Sequence, residues 1–199
     1  MSHVMSSHTR TSSAQAFPTF LEDGTEEWRV DGVLHRCDGP AVIDEYGTQQ
    51  WYINGNRHRL DGPALIQADG SQEWFIDGKR HRLDGPAVID ADSTQEWYIN
   101  GKRHRLDGPA LIQAGGSQMW FIDGNRHRLD GPAVIDADGT QEWYINGKRH
   151  RLDGPAIIRG DGSEEWWIDG HNITYLSAHA KMAYIQKYRH AKERTSLPG

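Results

Sequence analysis

Trp28, Trp51, Trp74, Trp97, Trp120, Trp143 and Trp166 follow one another at a constant interval of 23 residues, with no insertion or deletion. A fixed period in this range is the signature of a repeat architecture, in which each unit buries its apolar face only against its neighbours. That constrains the chain before any single residue is weighed. The shape is extended, the core is thin, and a side chain present in six or seven copies is suited to holding units together rather than running one reaction. Composition agrees. Hydrophobic residues make up 36% of the chain and mean hydropathy is −0.77, which is lean for a deep globular core. The 10% aromatic content is too high for a disordered chain.

The unit that begins at Trp51 reads Trp51-Tyr-Ile-Asn-Gly-Asn-Arg-His-Arg-Leu-Asp-Gly-Pro-Ala-Leu-Ile-Gln-Ala-Asp-Gly-Ser-Gln-Glu73. Two turn signals punctuate it. Asn54-Gly55 becomes Asp77-Gly78 and Asn100-Gly101 in later units, and Asp69-Gly70 is the second signal. Such pairs favour the positive φ that hairpins need. Between them lie strand formers, Glu-Trp-Tyr-Ile and Pro-Ala-Leu-Ile. Two strands per unit predict a mainly β protein, an elongated array of antiparallel hairpins with about thirteen strands, roughly 60 Å long at ~4.8 Å per strand. Alternation places Trp51 and Ile53 on one face and Tyr52 on the other, and divides Leu65 and Ile66 in the same way. The segment Arg57–Gly62 is expected to cross a face or edge before a strand starts at Pro63.

A second period lies over the first. The Trp51 and Trp97 units carry Trp-Tyr-Ile-Asn-Gly with Ala-Leu-Ile-Gln, and the Trp74 and Trp120 units carry Trp-Phe-Ile-Asp-Gly with Ala-Val-Ile-Asp. The duplicated block is therefore 46 residues long, which points to recent expansion and to two alternating edges or faces. Three segments follow from the pattern. Residues 1–18 form a leader rich in Ser, Thr and His, expected to be flexible. Residues 19–170 form the array. Residues 171–199 form a basic cap with its tail. In that cap Leu176, Ala180, Tyr184 and Tyr188 lie four apart, beside Lys181, Lys187, Arg189, Lys192 and Arg194. A helix there would cover the open edge of the last repeat.

The stretches Asn100-Gly-Lys-Arg-His104 and Asn146-Gly-Lys-Arg-His150, each followed by an Asp-Gly turn or its equivalent and an aromatic strand, resemble the MORN repeat. The likeness covers residues 22–170. Units of that family usually read Tyr-x-Gly-x-Trp and His-Gly-x-Gly, whereas here they read Glu-Trp-Tyr-Ile and His-Arg-Leu-Asp-Gly-Pro, so the chain looks like a divergent branch. The resemblance implies a twisted single sheet of hairpins and a scaffolding role, with dimerisation and phospholipid association among the family's reported behaviours. Tryptophan-rich cell-wall-binding repeats are a weaker match, being exported; this chain begins without the apolar core of a signal peptide.

Several chemistries compete for the repeated side chains. Equivalent residues lie roughly 10 Å apart, two strands per unit, so neighbouring members of the ladder His35, His58, His81, His104, His127 and His150 cannot share a zinc ion that reaches its ligands at about 2 Å. Each histidine is expected to bond its own turn, and no metal or cofactor is assigned. Arg59 with Asp61, Arg82 with Asp84 and Arg105 with Asp107 read as an ion-pair ladder between adjacent units. The competing reading is a site for a small anion, such as a nucleotide, along Arg57, Arg59, Arg80, Arg82, Arg103, Arg105, Arg126 and Arg128, where arginines stand free of Asp. The tryptophans read as core interleaved with the Ala-Leu-Ile strands rather than as a stacking platform, their spacing being too wide for rings to stack on one another. Cys37 stands where other units have leucine and is expected to be a small core residue.

No nucleophile motif is present, and six equivalent copies do not make one asymmetric active site. The reading is a non-enzymatic, cytoplasmic protein that binds another protein or its own copy. Its symmetry breaks at Trp167, Tyr184, Tyr188, Lys187 and Arg189. Alternatives are the anion binder, a viral or mobile-element inhibitor of a host protein, and membrane-surface association through the basic helix. That last is disfavoured by the helix's few large apolar groups. A net charge of −6 argues against nucleic acid. A single cysteine cannot form an intrachain disulfide, and no apolar run approaches the length of a membrane span.

Overall fold

The computed structural model describes residues 17–195. Most of the expected leader lies outside them. Its last residue, Pro18, instead opens a strand, Pro18–Phe20, that pairs antiparallel with Glu26–Val30. The chain is a long antiparallel array closed at its C-terminal end by one helix, α1 (Ala178–Thr195).

The first unit keeps one five-residue strand, Glu26–Val30, through Trp28, but from Trp51 onward each unit makes four two-residue strands where two longer ones were expected. In one unit these are Leu65–Ile66, Gln72–Glu73, Phe75–Ile76 and Lys79–Arg80. The first two join a continuous sheet whose path of fourteen strands runs from Pro18–Phe20 to Glu164–Glu165. The last two close a separate small hairpin. Trp74, between Glu73 and Phe75, is where the strand breaks. Its N–H donates to the Ala87 carbonyl at 2.8 Å, and its carbonyl accepts from the His81 N–H at 3.0 Å. One residue thus serves both pairings, and the chain bends there from sheet to hairpin. Thirteen strand spacings of ~4.8 Å make the sheet about 62 Å long.

The two turns differ in backbone chemistry. Asn54 and Gly55 sit at φ 49° and 77°, and Asp77 and Gly78 at 48° and 74°. Both central residues are left-handed, the requirement of a type I′ turn. At the second turn only Gly70 is left-handed, φ 91°, with its N–H donating to the Gln67 carbonyl and the Gln67 N–H to the Ser71 carbonyl. That is the longer hairpin loop with one left-handed residue.

Three sets of bonds join a unit to the next. The sheet strands pair Gln72–Glu73 with Val88–Ile89. The hairpins join through Gly78 N–H to the Arg57 carbonyl and Arg59 N–H to the Phe75 carbonyl, at 2.9 and 3.1 Å. The outer turns join through hydroxyls: Ser71, Thr94 and Ser117 accept from the N–H groups of Ala91, Ala114 and Ala137. A small hydroxyl recurs at this position because it supplies the acceptor that the next turn lacks.

The core is one side chain deep. Ala41, Ala64, Ala87, Ala110, Ala133 and Ala156 are fully buried, and Val42, Leu65, Val88, Leu111, Val134 and Ile157 nearly so. Phe75 packs on Ala64 and Leu65, with Trp51 against them. The tryptophans are therefore core partners, as expected, though only Trp28 is buried outright and the others are half-buried.

Candidate binding face

Alternation sends Trp and Ile of each hairpin strand to one face and Phe or Tyr to the other. On the Trp face each unit contributes a loop. Arg59 leaves the hairpin and lays its guanidinium 4.2 Å from the centre of the Trp51 ring. Its Nε donates to Asp61 at 2.9 Å and its Nη1 to the Pro63 carbonyl at 3.3 Å. Gly62 makes room, since a Cβ there would stand 2.9 Å from the guanidinium carbon. The same stack recurs with Arg36 on Trp28, Arg82 on Trp74, Arg105 on Trp97, Arg128 on Trp120 and Arg151 on Trp143, at 3.9–4.1 Å. A cation over an indole with its donors satisfied is a stable clamp.

Two expectations need correcting. The Arg–Asp pairs lie within one loop, two residues apart, not between units. Arg59, Arg82, Arg105 and Arg128 consequently do not stand free of Asp. The arginine lends its charge to the aspartate, whose carboxyl is held below the ordinary range, and the two compensate each other.

The histidines link units rather than closing their own turns. His58 Nδ1 lies 2.8 Å from Asp77 Oδ1 and 3.3 Å from the Asp77 backbone nitrogen, so one tautomer bonds the carboxylate and the other the N–H. His35 meets Asn54, His81 meets Asn100, His104 meets Asp123 and His127 meets Asn146 in the same way. Each reaches 19 residues forward because the next unit's left-handed Asn or Asp turns its side chain back toward the preceding hairpin. Among the described residues no three His, Cys, Asp or Glu side chains converge to hold a metal.

Between successive loops the face opens into clefts. One, of about 800 Å³, has Arg59–Pro63 and Arg82–Asp84 as walls and Trp74, Ile76 and His81 along its floor. Others, of about 420, 760 and 680 Å³, lie around Trp51, Trp97 and Trp143. On the rims stand Leu60, Leu83, Leu106 and Leu129, each 81–82% exposed. Their sequence gives no reason to expect this, since a leucine in every unit reads as core. Cys37 occupies the same position and is likewise exposed, 3.2 Å from His35 Nε2, so it is not a core residue.

The opposite face carries a second arginine series. Arg80 donates to Glu73 and Arg103 to Glu96, at 2.7 and 2.6 Å. Each also lies over the aromatic ring of the following unit: Arg80 over Tyr98 and Arg103 over Phe121. Arg57 and Arg126 differ. Gln50 and Met119 stand where those glutamates would be, so Arg57 donates to Gln50 and Tyr52, and Arg126 to Met119 and Tyr144.

At the C-terminal end α1 closes the last cleft. Ser177 caps it, its hydroxyl accepting the Ala180 N–H. Ile185 is 2% exposed and packs with Ile168 and Ile173, and Leu152, Trp166, Leu176 and Tyr188 close round them. The inner stripe runs through Lys181, Ile185 and Tyr188 rather than through Ala180 and Tyr184. A four-residue step advances about 40° past one full turn of a 3.6-residue helix, so a strict i+4 stripe drifts off the contact. Tyr184 accordingly sits at the edge, 36% exposed. Tyr188 meets the His150 ring at 5.3 Å, Arg189 donates to the Leu152 carbonyl at 3.4 Å, and Lys181 lies over Trp166. Lys187 is exposed, and Trp167 donates its indole N–H to Glu165. No helix among the described residues is long and apolar enough to cross a membrane.

The chain matches no protein-family model and no curated protein.

Proposed function

We propose that this is a non-enzymatic scaffold, distantly MORN-like, whose Trp-side face binds another protein. The observation that carries the reading is the row of leucines at Leu60, Leu83, Leu106 and Leu129, exposed at one spacing along a rigid frame. Isolated exposed leucines need no explanation, but a contiguous apolar row rimmed by charge is the character of a protein-interaction surface. In the clamps beneath it each arginine is held by its indole, its aspartate and a backbone carbonyl, so the frame is ordered before binding and loses little entropy on it.

The test is cross-linking capture from lysate of the source, using the intact protein and a Leu83→Glu/Leu106→Glu variant. Proteins retained by the first and lost from the second support the reading. An identical set on both overturns it. Because both leucines point into solvent, the variant is expected to keep the melting temperature within about 2 °C.

A second reading, binding of a small anion, rests on Arg57 and Arg126, the members of their series that face Gln50 and Met119 instead of a carboxylate. It predicts thermal stabilisation by a nucleotide or polyphosphate that disappears in Arg57→Gln/Arg126→Gln. No stabilisation by any member of such a panel sinks it.

A further inference from the structure

The last cleft keeps the floor and one rim of the others; Ile173, Thr174 and Tyr175 stand where His81, Arg82 and Leu83 line an open cleft, and a helix fills the space. Its floor, Trp166 and Ile168, is equivalent to Trp74 and Ile76, and its rim residue Leu152 to Leu129. Ile168 is 0% exposed, while Ile76, Ile99 and Ile145 in open clefts remain half-exposed, and Leu152 is half-buried where Leu129 is 81% exposed. The filling element is a helix, which inserts Ile185 and Tyr188 and sets Arg189 on the loop carbonyl of Leu152. The molecule therefore contains one occupied half of a site, floor and one rim, that it presents several times open.

Charge selects the same partner. Residues 19–170 hold 16 basic and 27 acidic side chains, a net charge of −11, whereas residues 178–195 hold five basic and one acidic, a net charge of +4. On the rims of the open clefts Asp61, Asp84, Asp107 and Asp130 are each neutralised by the arginine of their own loop, so it is the net charge of the array that favours a basic partner. Asp153, the equivalent at the filled cleft, is held below the ordinary carboxylate range chiefly by its own Arg151, with Arg189 of α1 adding a small contribution.

From this we infer that the clefts between Leu60 and Leu129 receive a basic amphipathic α-helix of a partner protein which, like α1, sets two apolar residues three apart into a cleft with Lys or Arg beside them. This rests on the protein-binding reading above and names the class of partner. The probe is a fluorescent peptide of residues 174–193, which has α1's chemistry, titrated into the full-length protein and followed by anisotropy. The expected result is saturable binding, weakened about tenfold by Leu83→Glu/Leu106→Glu and weakened further as salt rises. A peptide carrying Ile185→Glu and Tyr188→Ser is expected not to bind. Absent saturation, or equal affinity for the variant, overturns the inference. If the peptide fails while lysate capture still depends on Leu83 and Leu106, the helix class falls and the binding face stands. If neither depends on these leucines, both readings fall. Light scattering on the full chain alone completes the test: a dimer that Leu83→Glu/Leu106→Glu dissolves would assign the clefts to a second copy and overturn the assignment to a partner.

Discussion

A single loop side chain shows which interactions matter here. Arg82 is stacked 4.1 Å from the Trp74 centroid, donates to Asp84 and to the Pro86 carbonyl, and lies where a Cβ on Gly85 would touch it. Asp84 is 82% exposed, so its ion pair is solvent-screened and contributes little. The stack and the carbonyl bond carry the clamp. Arg82→Ala is therefore expected to cost about 1–2 kcal/mol, measured as a shift in urea midpoint, and Asp84→Asn to move that midpoint far less. Comparable losses from the two would mean that the ion pair dominates. A second residue is out of place in its turn. Ser93 takes φ 73° where Gly70, Gly116 and Gly139 sit in other units. A left-handed conformation strains a side chain with a Cβ, so Ser93→Gly is expected to stabilise by about 1 kcal/mol, read from thermal unfolding. A neutral or destabilising result would contradict the strain argument. The type I′ turns were legible in the sequence because Asn-Gly and Asp-Gly carry their conformation locally. The clamp was not, because Arg, Asp, Gly and Trp meet only after the chain has folded back.

Among the elements, α1 has the most conditional attachment. His150 lies against Tyr188 beneath it, and burial pushes its imidazole below the ordinary value near 6.5, with Lys192 acting in the same direction and Asp169 opposing. The undocked imidazole then takes up a proton more readily than the docked one. The stability from this contact is present above pH 6.5 and is lost as pH falls below it. Protection of the helix amides, corrected for the intrinsic pH dependence of exchange, is expected to fall between pH 7 and 5.5, and His150→Gln to flatten that dependence. A helix equally protected at both values would contradict it. The existence of this helix was readable from periodicity and from the missing repeat after Gly170. Its inner stripe was not, since a spacing of four and a spacing of three and four differ only when a partner surface fixes the rotation. The strands show the same limit. Pattern placed Trp and Ile on one face correctly, but the bend at each tryptophan comes from two hydrogen bonds to non-neighbouring residues, and from Trp51 onward it divided each expected strand in two.

For the whole molecule, stability is a sum over units and their junctions, with the exposed end the weakest point. Ending the chain at Gly170 removes Ile173, Leu176, Ile185 and Tyr188 from Trp166 and Ile168 and uncovers a cleft that is fully closed in the intact protein. Light scattering coupled to size exclusion is expected to find self-association of that shortened chain. A well-behaved monomer would show that the helix is not needed to cover the end. The period of 23 residues made the array itself legible. The face that binds was hidden, because a leucine repeated in every unit looks like core until the fold turns it outward.

The most direct test of the account is hydroxyl-radical footprinting of the protein in lysate of its source, compared with the purified protein in buffer. The account predicts protection at Leu60, Leu83, Leu106 and Leu129, with Tyr52 and Tyr98 on the other face unchanged. Equal labelling of the leucines in both, or protection confined to the tyrosine face, would contradict it.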